Sequence, residues 1–357
     1  MTELRDPPHK TFADLMDTKE LPTPKSQLAL RDSCRYFQST VRPYRPIVAP
    51  GVFGGHVLAQ CAVVGAKTVA DHYILHNVHG YFILPGKQDI PFTYKVETVR
   101  TGRSYSVRQI RVYQPDPEKV SLDDFDFAQE DMCFMCICSY KRIEQSILKH
   151  QRRLDPVFRP ENLPHPVDHI PLAPDVDVPT WEEWAKDPDN KYVQEVHPVE
   201  LRKMPMKDYN HPRADVADRR QIHYLRSHDR LPDDPNLHIA AMLYASDRNS
   251  LFTVINLQDD EHAIARVASI DHAFIMHELD VRVDEGWLTM ETFSERSGDG
   301  RGLYNGRMFD KNNRHVCTFM QDGVVRVFPK EGMEEDANVK VSSIFQTVAR
   351  NQSNSKL

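Results

Sequence analysis

Three polar residues stand where apolar ones are expected, all in the last third of the chain. Asp247 closes the run Leu243-Tyr244-Ala245-Ser246-Asp247, Ser269 opens Ser269-Ile270-Asp271-His272, and Gln321 lies in Phe319-Met320-Gln321-Asp322-Gly323. The flanking segments carry the periodicity of core elements, so each polar side chain needs a partner or a task. The set comprises a carboxylate, an alcohol and a carboxamide: one group that can take a proton and two that both donate and accept hydrogen bonds. Each also has a plain structural reading. Asp247 could cap a turn with Arg248 and Asn249, Ser269 could be an ordinary strand serine, and Gln321 could pair with a neighbouring strand.

Two passages of one pattern supply the elements that must position these residues. The first is a glycine-led apolar helix at 51–69, then strand-like runs at 76–84, 91–99, 104–113 and 132–140. The second is a helix at 238–247, then strands at 264–277, 287–296, 303–309 and 316–328. Runs at 192–201 and 220–226 read as leading strands of the second passage, and 33–40 as that of the first. Alternation is clear where Tyr105, Val107, Gln109 and Arg111 interleave with Ser106, Arg108, Ile110 and Val112. Glycine marks turns at Gly102-Arg103 and Gly298-Asp299-Gly300-Arg301. An apolar helix followed by consecutive antiparallel strands predicts an α+β fold in which a curved sheet wraps a central helix, the hotdog. Such a sheet leaves edges exposed and buries its helix best beside a second copy, which a tandem duplication supplies.

The predicted layout is a mobile N-terminal tail (1–21), a first hotdog domain (22–148), a surface linker (149–190), a second hotdog domain (191–330) and a C-terminal tail (331–357). The linker is rich in Pro, Asp and His, with a short helical island at 181–186. Segments 114–131 and 203–218 read as loop insertions.

The 357 residues are 40% hydrophobic and 27% charged, enough for a sizeable core, and the net charge of −7 argues against nucleic acid as a partner. No run reaches ~18 apolar residues, so no membrane span is expected, and the N-terminus lacks the apolar centre of a secretory signal. Cys133, Cys136 and Cys138 lie in a strand-like apolar run without a second Cys/His pair, so they read as buried thiols and no metal site is expected. No cofactor is predicted. The chain ends in Ser355-Lys356-Leu357, the receptor-read peroxisomal address, which predicts a peroxisomal import receptor as partner and the peroxisome matrix as location. The duplication already supplies one hotdog pair, so further assembly into a homo-oligomer stays open.

Six stretches in order carry a resemblance across roughly 28–330: Phe53-Gly54-Gly55-His56-Val57-Leu58-Ala59-Gln60, His79 to Gly86, Tyr94 to Arg108, Tyr244 to Asp247, Ser269 to His272, and Gln321 to Arg326. The chain resembles the acyl-CoA thioesterase II family of double-hotdog enzymes. The resemblance implies hydrolysis of fatty acyl-CoA thioesters by a water that an acid, a hydroxyl and a glutamine activate, here Asp247, Ser269 and Gln321. It further places the start of one helix opposite the acid borne by the other, so the backbone amides of Gly54, Gly55 and His56 become candidates for polarising the thioester carbonyl. In the first copy Gln60, Asn77 and Ser139 fall near the corresponding places and offer no carboxylate, so one site per chain is expected. Asp271 and His272 look like a dyad beside Ser269, but neighbours on a strand face opposite ways, so they read as structural.

Two other functions compete. Asp247-Arg248-Asn249-Ser250-Leu251-Phe252 echoes the helix signature of peroxisomal hotdog enoyl-CoA hydratases, but Phe252 stands where those enzymes need a histidine. A non-catalytic acyl-CoA-binding protein would have no use for a buried carboxylate. No Gly-x-Ser-x-Gly elbow occurs, which disfavours a serine hydrolase.

Overall fold

The computed structural model describes residues 11–30, 32–45, 51–116, 118, 121, 123, 127, 132–174, 197–258 and 264–328. In the first half, α1 (Phe12–Leu15), β1 (Thr18–Leu21) and β2 (Cys34–Ser39) precede α2 (Gly54–Ala66). Strands β3 (Ile74–Phe82), β4 (Thr93–Thr101), β5 (Tyr105–Tyr113) and β6 (Met132–Lys141) follow. In the second half, β7 (Val199–Lys203), α3 (Lys207–Asn210) and β8 (Gln221–Ser227) precede α4 (Pro235–Ser246) and α5 (Phe252–Asn256). They are followed by β9 (Ile264–Ser269), β10 (Asp271–Met276), β11 (Leu288–Gly298), β12 (Arg301–Phe309) and β13 (His315–Val327).

All thirteen strands join one sheet in the order β1-β2-β4-β5-β6-β3-β10-β13-β12-β11-β8-β7, with β9 also paired to β13. The order reads the same from either edge, and the two copies meet where β3 pairs antiparallel with β10 (Val78 opposite Phe274). The repetition reaches single residues. Met132–Tyr140 and His315–Gly323 bury and expose their residues in the same sequence, as do Tyr105–Tyr113 and Arg301–Phe309. This is the tandem hotdog the pattern predicts.

Helix α4 is buried all round, from Leu237 to Ser246, because sheet lies on one side and α2 on the other. Close approach of the two helices explains the glycine pair opening α2. A Cβ on Gly55 would lie 2.6 Å from the carbonyl oxygen of Tyr244, and one on Gly54 would lie 2.8 Å from a carboxylate oxygen of Asp247.

The first correction concerns the predicted mobile tail at 1–21. From residue 11 it is part of the core: Phe12, Leu15 and Met16 are buried, and β1 pairs with β2 as the outermost strand, matching β7 in the second copy. A four-residue helix is too short to show periodicity, which is why the pattern missed it. The described part of the linker is likewise anchored. Leu154, Phe158 and Val167 form an apolar cluster with Ile222, Tyr224 and Phe309, and Tyr224 Oη donates to the Phe158 carbonyl at 2.8 Å. Segment 203–218 begins at the end of β7 and carries α3 and a single 3-10 turn at Val216–Asp218. The helical island at 181–186 and the tail at 331–357 lie outside the described residues.

The predicted strand at 264–277 is two strands. Ile270 interrupts it, donating its N–H to the Asp322 carbonyl at 3.0 Å while its own carbonyl accepts from Phe82 N. All six cysteines are free and buried.

Candidate active site

Asp247 is the residue after α4. The helix ends there because Asn249 takes the left-handed conformation (φ 56°), which a short polar side chain tolerates better than most. Arg248 holds the turn, donating to the Val199 and Ala173 carbonyls at 3.2 Å each. A carboxylate at the C-terminal end of its own helix is electrostatically unfavourable, but this one faces the N-terminal end of α2. The N-cap residue of α2, Phe53, offers no side-chain cap, and the Gly55 backbone N–H donates to Asp247 instead. Asp247 thus caps the helix of the other copy.

Gln321, fully buried on β13, points inward beneath Asp247. Its Nε2 donates to Asp247 Oδ1 at 2.8 Å and to Ser269 Oγ at 2.8 Å. The carboxylate only accepts, which fixes the amide with its NH2 toward the acid. Both amide protons are then committed, and Ser269, having accepted one, keeps its own proton to donate. Gln321 Oε1 is buried without a hydrogen-bond partner. The trio therefore offers a proton acceptor, a hydroxyl donor and an amide acceptor.

Burial pushes the Asp247 carboxyl up to about 7, against the hydrogen bonds from Gln321 and Gly55, which favour the charged form. Among the described residues no lysine or arginine pairs with it. Tyr304, buried nearby, is held well above its ordinary range by the same loss of solvent and stays neutral.

The structure therefore brings Asp247, Ser269 and Gln321 together. It separates the three amides. Gly55 donates to Asp247, while the His56 N–H is taken by the Phe53 carbonyl at 3.1 Å and its ring accepts from Tyr44 N at 2.9 Å. His56 therefore drops out as a carbonyl donor, because a first-turn amide this far into the helix already has a backbone partner.

The first-copy positions also shift. Gln60 is mid-helix, donating to the Leu15 carbonyl and accepting from Tyr94 Oη. Lys67, the residue after α2, is the counterpart of Asp247. The matched burial sequences equate Cys138 with Gln321, and the pairing of Leu75 with Tyr140 equates Leu75 with Ser269, which pairs with Gly323. The sequence placed Asn77 and Ser139 there, and an offset of one or two residues is enough to exchange faces on a strand. None of these three counterparts, Lys67, Leu75 or Cys138, carries a carboxylate.

One inward residue went unused in the sequence. The interruption at Ile270 resets the alternation, so Ser269 and His272 both turn toward the helices, and His272 Nδ1 lies 3.9 Å from Asp247 Oδ1. Asp271 faces the other way and accepts from Asp322 N at 2.7 Å. Among the described residues no group of three or more His, Cys, Asp or Glu could hold a metal ion.

Comparison with known proteins places this arrangement. Residues 41–123 match the acyl-CoA thioesterase N-terminal domain and residues 193–324 match the acyl-CoA thioesterase family, together more than half of the chain. Acyl-coenzyme A thioesterase 8 of Mus musculus is 28% identical over 287 residues, covering 78% of this chain and 81% of that protein. Among solved structures, acyl-CoA thioesterase II TesB2 from Mycobacterium marinum superposes with a TM-score of 0.63 at 24% identity, over 91% of this chain and 99% of that one. A conserved protein with a hot dog fold from Alicyclobacillus acidocaldarius gives a TM-score of 0.58 at 14% identity, over 89% and 98%. These two likenesses concern the fold, and the sequence matches concern the family. The chain belongs to the acyl-CoA thioesterases.

Proposed function

We propose that the chain hydrolyses fatty acyl-CoA to free fatty acid and CoA by direct attack of a water held by Asp247, Ser269 and Gln321. The observation that carries this mechanism is the Gln321 amide bonded at 2.8 Å to both the acid and the alcohol. A water donating to Asp247 and to Gln321 Oε1 while accepting from Ser269 gives Gln321 Oε1 the partner it lacks and uses the proton Ser269 keeps. Asp247 takes the proton as the water oxygen attacks the acyl carbon, a role worth ~10²–10⁴ in rate. The Gly54 amide, beside the acid at the start of α2, is the donor assigned to the thioester oxygen. The C–S bond then breaks, and the proton passes from Asp247 to the CoA thiolate.

Release of free CoA from palmitoyl-CoA tests this, with hydration of a trans-enoyl-CoA run in parallel. CoA release without hydration is expected. Hydration without release would favour the hydratase reading, and inactivity toward both would favour a binding protein. A base must be ionised to act, so kcat/KM is expected to rise with pH through a midpoint of about 7 and to fail on the acid side. A profile without that acidic limb contradicts the role of Asp247.

The same reading assigns Ser355-Lys356-Leu357 to a peroxisomal import receptor and the enzyme to the peroxisome matrix. Removal of Leu357 is expected to leave turnover in vitro intact and to leave the protein in the cytosol, which fluorescence microscopy of a tagged chain reads directly. Continued import of the shortened chain would mean another route.

A further inference from the structure

Ser246 and His272 lie beside Asp247, both fully buried. Ser246 Oγ is 2.8 Å from the Leu243 carbonyl and 2.9 Å from His272 Nε2. A hydroxyl has one proton, and a carbonyl oxygen can only accept. That proton therefore goes to Leu243, and His272 must be the donor to Ser246, with its own proton on Nε2. Nδ1 is then a bare lone pair. It is buried without a hydrogen-bond partner and faces Asp247 Oδ1 across 3.9 Å. Two acceptors with no proton between them stand apart at such a distance, whereas a hydrogen bond would close the gap to ~2.7–3.0 Å. Burial also drives the imidazole down to about 3, so the pair is a carboxyl facing a neutral ring and not an ion pair.

We propose that His272 is a positioning residue for the proton Asp247 takes from water: its bare Nδ1 accepts a hydrogen bond from the protonated carboxyl, and Ser246 locks the ring in the tautomer that can do so. The inference rests on Asp247 being the general base. As the water oxygen bonds to the acyl carbon and the C–S bond breaks, the water proton moves to Asp247, is held against Nδ1, and leaves on the CoA thiolate. The imidazole gains no proton, and nothing outside the hydrolysis is consumed.

The other groups around Asp247 act in the opposite sense or not at all. Gln321 of β13 and the Gly55 amide of α2 favour the ionised acid. Tyr304 of β12 stays neutral and donates to the Ser246 carbonyl at 3.2 Å. Arg248 is turned to the Val199 and Ala173 carbonyls, and Asp322 is paired with Arg301 beside Asp271 on the far face. Among the described residues His272 is thus the contact that favours the protonated acid, and so makes Asp247 a stronger base.

Two variants and one measurement on the unmodified protein test this. His272→Gln can turn an NH2 toward the carboxylate, and Ser246→Ala frees the ring to carry its proton on Nδ1; each replaces an acceptor facing the acid by a donor. Both are expected to move the acidic limb of kcat/KM down by about one pH unit, with kcat about tenfold lower and KM little changed. Ser246→Thr keeps the hydroxyl and should keep the limb in place. In the unmodified chain, ¹⁵N NMR of the imidazole should find Nδ1 bare and Nε2 protonated. A proton on Nδ1, or a limb that stays put in both variants while kcat falls, overturns the inference and leaves the general base intact. Absence of the limb from the unmodified enzyme removes the base itself.

Discussion

Asp247→Asn is expected to reduce turnover of palmitoyl-CoA by ~10²–10⁴ while leaving the fold intact, because the amide cannot accept a proton from water. The same variant should be the more stable protein in alkaline buffer. Burial pushes the parent carboxyl up to about 7 when folded, far above the 3.8 of an ordinary aspartate, so ionising it inside the protein is costly. A folded value above the unfolded one favours the fold fully below the lower value, and that advantage is lost as pH rises through 7. The difference corresponds to roughly 4 kcal/mol above pH 7, vanishing toward about pH 4. Asparagine never ionises and escapes the cost, although its NH2 meets one of the two donors that the carboxylate satisfies, which returns part of the gain. Urea unfolding of both proteins at pH 8 and pH 4.5 reads the effect: a gap favouring the variant at the higher pH that closes at the lower one. Near-parental turnover would remove the base from the mechanism, and a gap independent of pH would mean that Asp247 is not the buried acid described here.

The sequence exposed the trio because each member is a polar side chain inside an apolar run, and burial makes such residues conspicuous. It exposed the duplication because helix-then-strands recurs with similar spacing, and the mirrored sheet order follows from that recurrence. What it did not expose depends on single-residue geometry. Strand alternation placed His272 on the wrong side of the argument, since nothing in Ser269-Ile270-Asp271 announces that Ile270 leaves the ladder. The same sensitivity displaced the first-copy counterparts from Leu75 and Cys138 to Asn77 and Ser139. The fate of the His56 amide was equally invisible, because a first-turn N–H is open or taken according to the local turn, and here the Phe53 carbonyl takes it. Periodicity finds faces and elements; the partner of each polar atom needs coordinates.

Phe12→Ala is expected to destabilise the protein by ~3–5 kcal/mol, the cost of emptying a buried aromatic site. Were residues 1–21 the mobile tail that composition suggests, the change would stay within about 0.5 kcal/mol. Phe12 is fully buried and meets Tyr244 edge-on, with ring centroids 5.8 Å apart. The segment is held at several points. Thr11 Oγ1 accepts from Asp14 N at 3.1 Å and caps the short helix, Gln60 Nε2 donates to the Leu15 carbonyl at 2.9 Å, and Lys67 Nζ donates to the Thr18 carbonyl at 2.9 Å. Tyr244 is also the residue whose carbonyl lies against Gly55, and it sits three positions before Asp247 in the chain. A cavity under its ring therefore loosens the contact between α2 and α4 across which the acid and the Gly55 amide meet. Urea unfolding followed by circular dichroism should give a lower midpoint with an unchanged slope, and kcat should fall more than KM rises, since the shift lies behind the reacting groups and away from the substrate. A midpoint equal to the parent's would mean that the first strand and its preceding turn do not belong to the cooperative unit, and that the hotdog of the first copy begins only at Cys34.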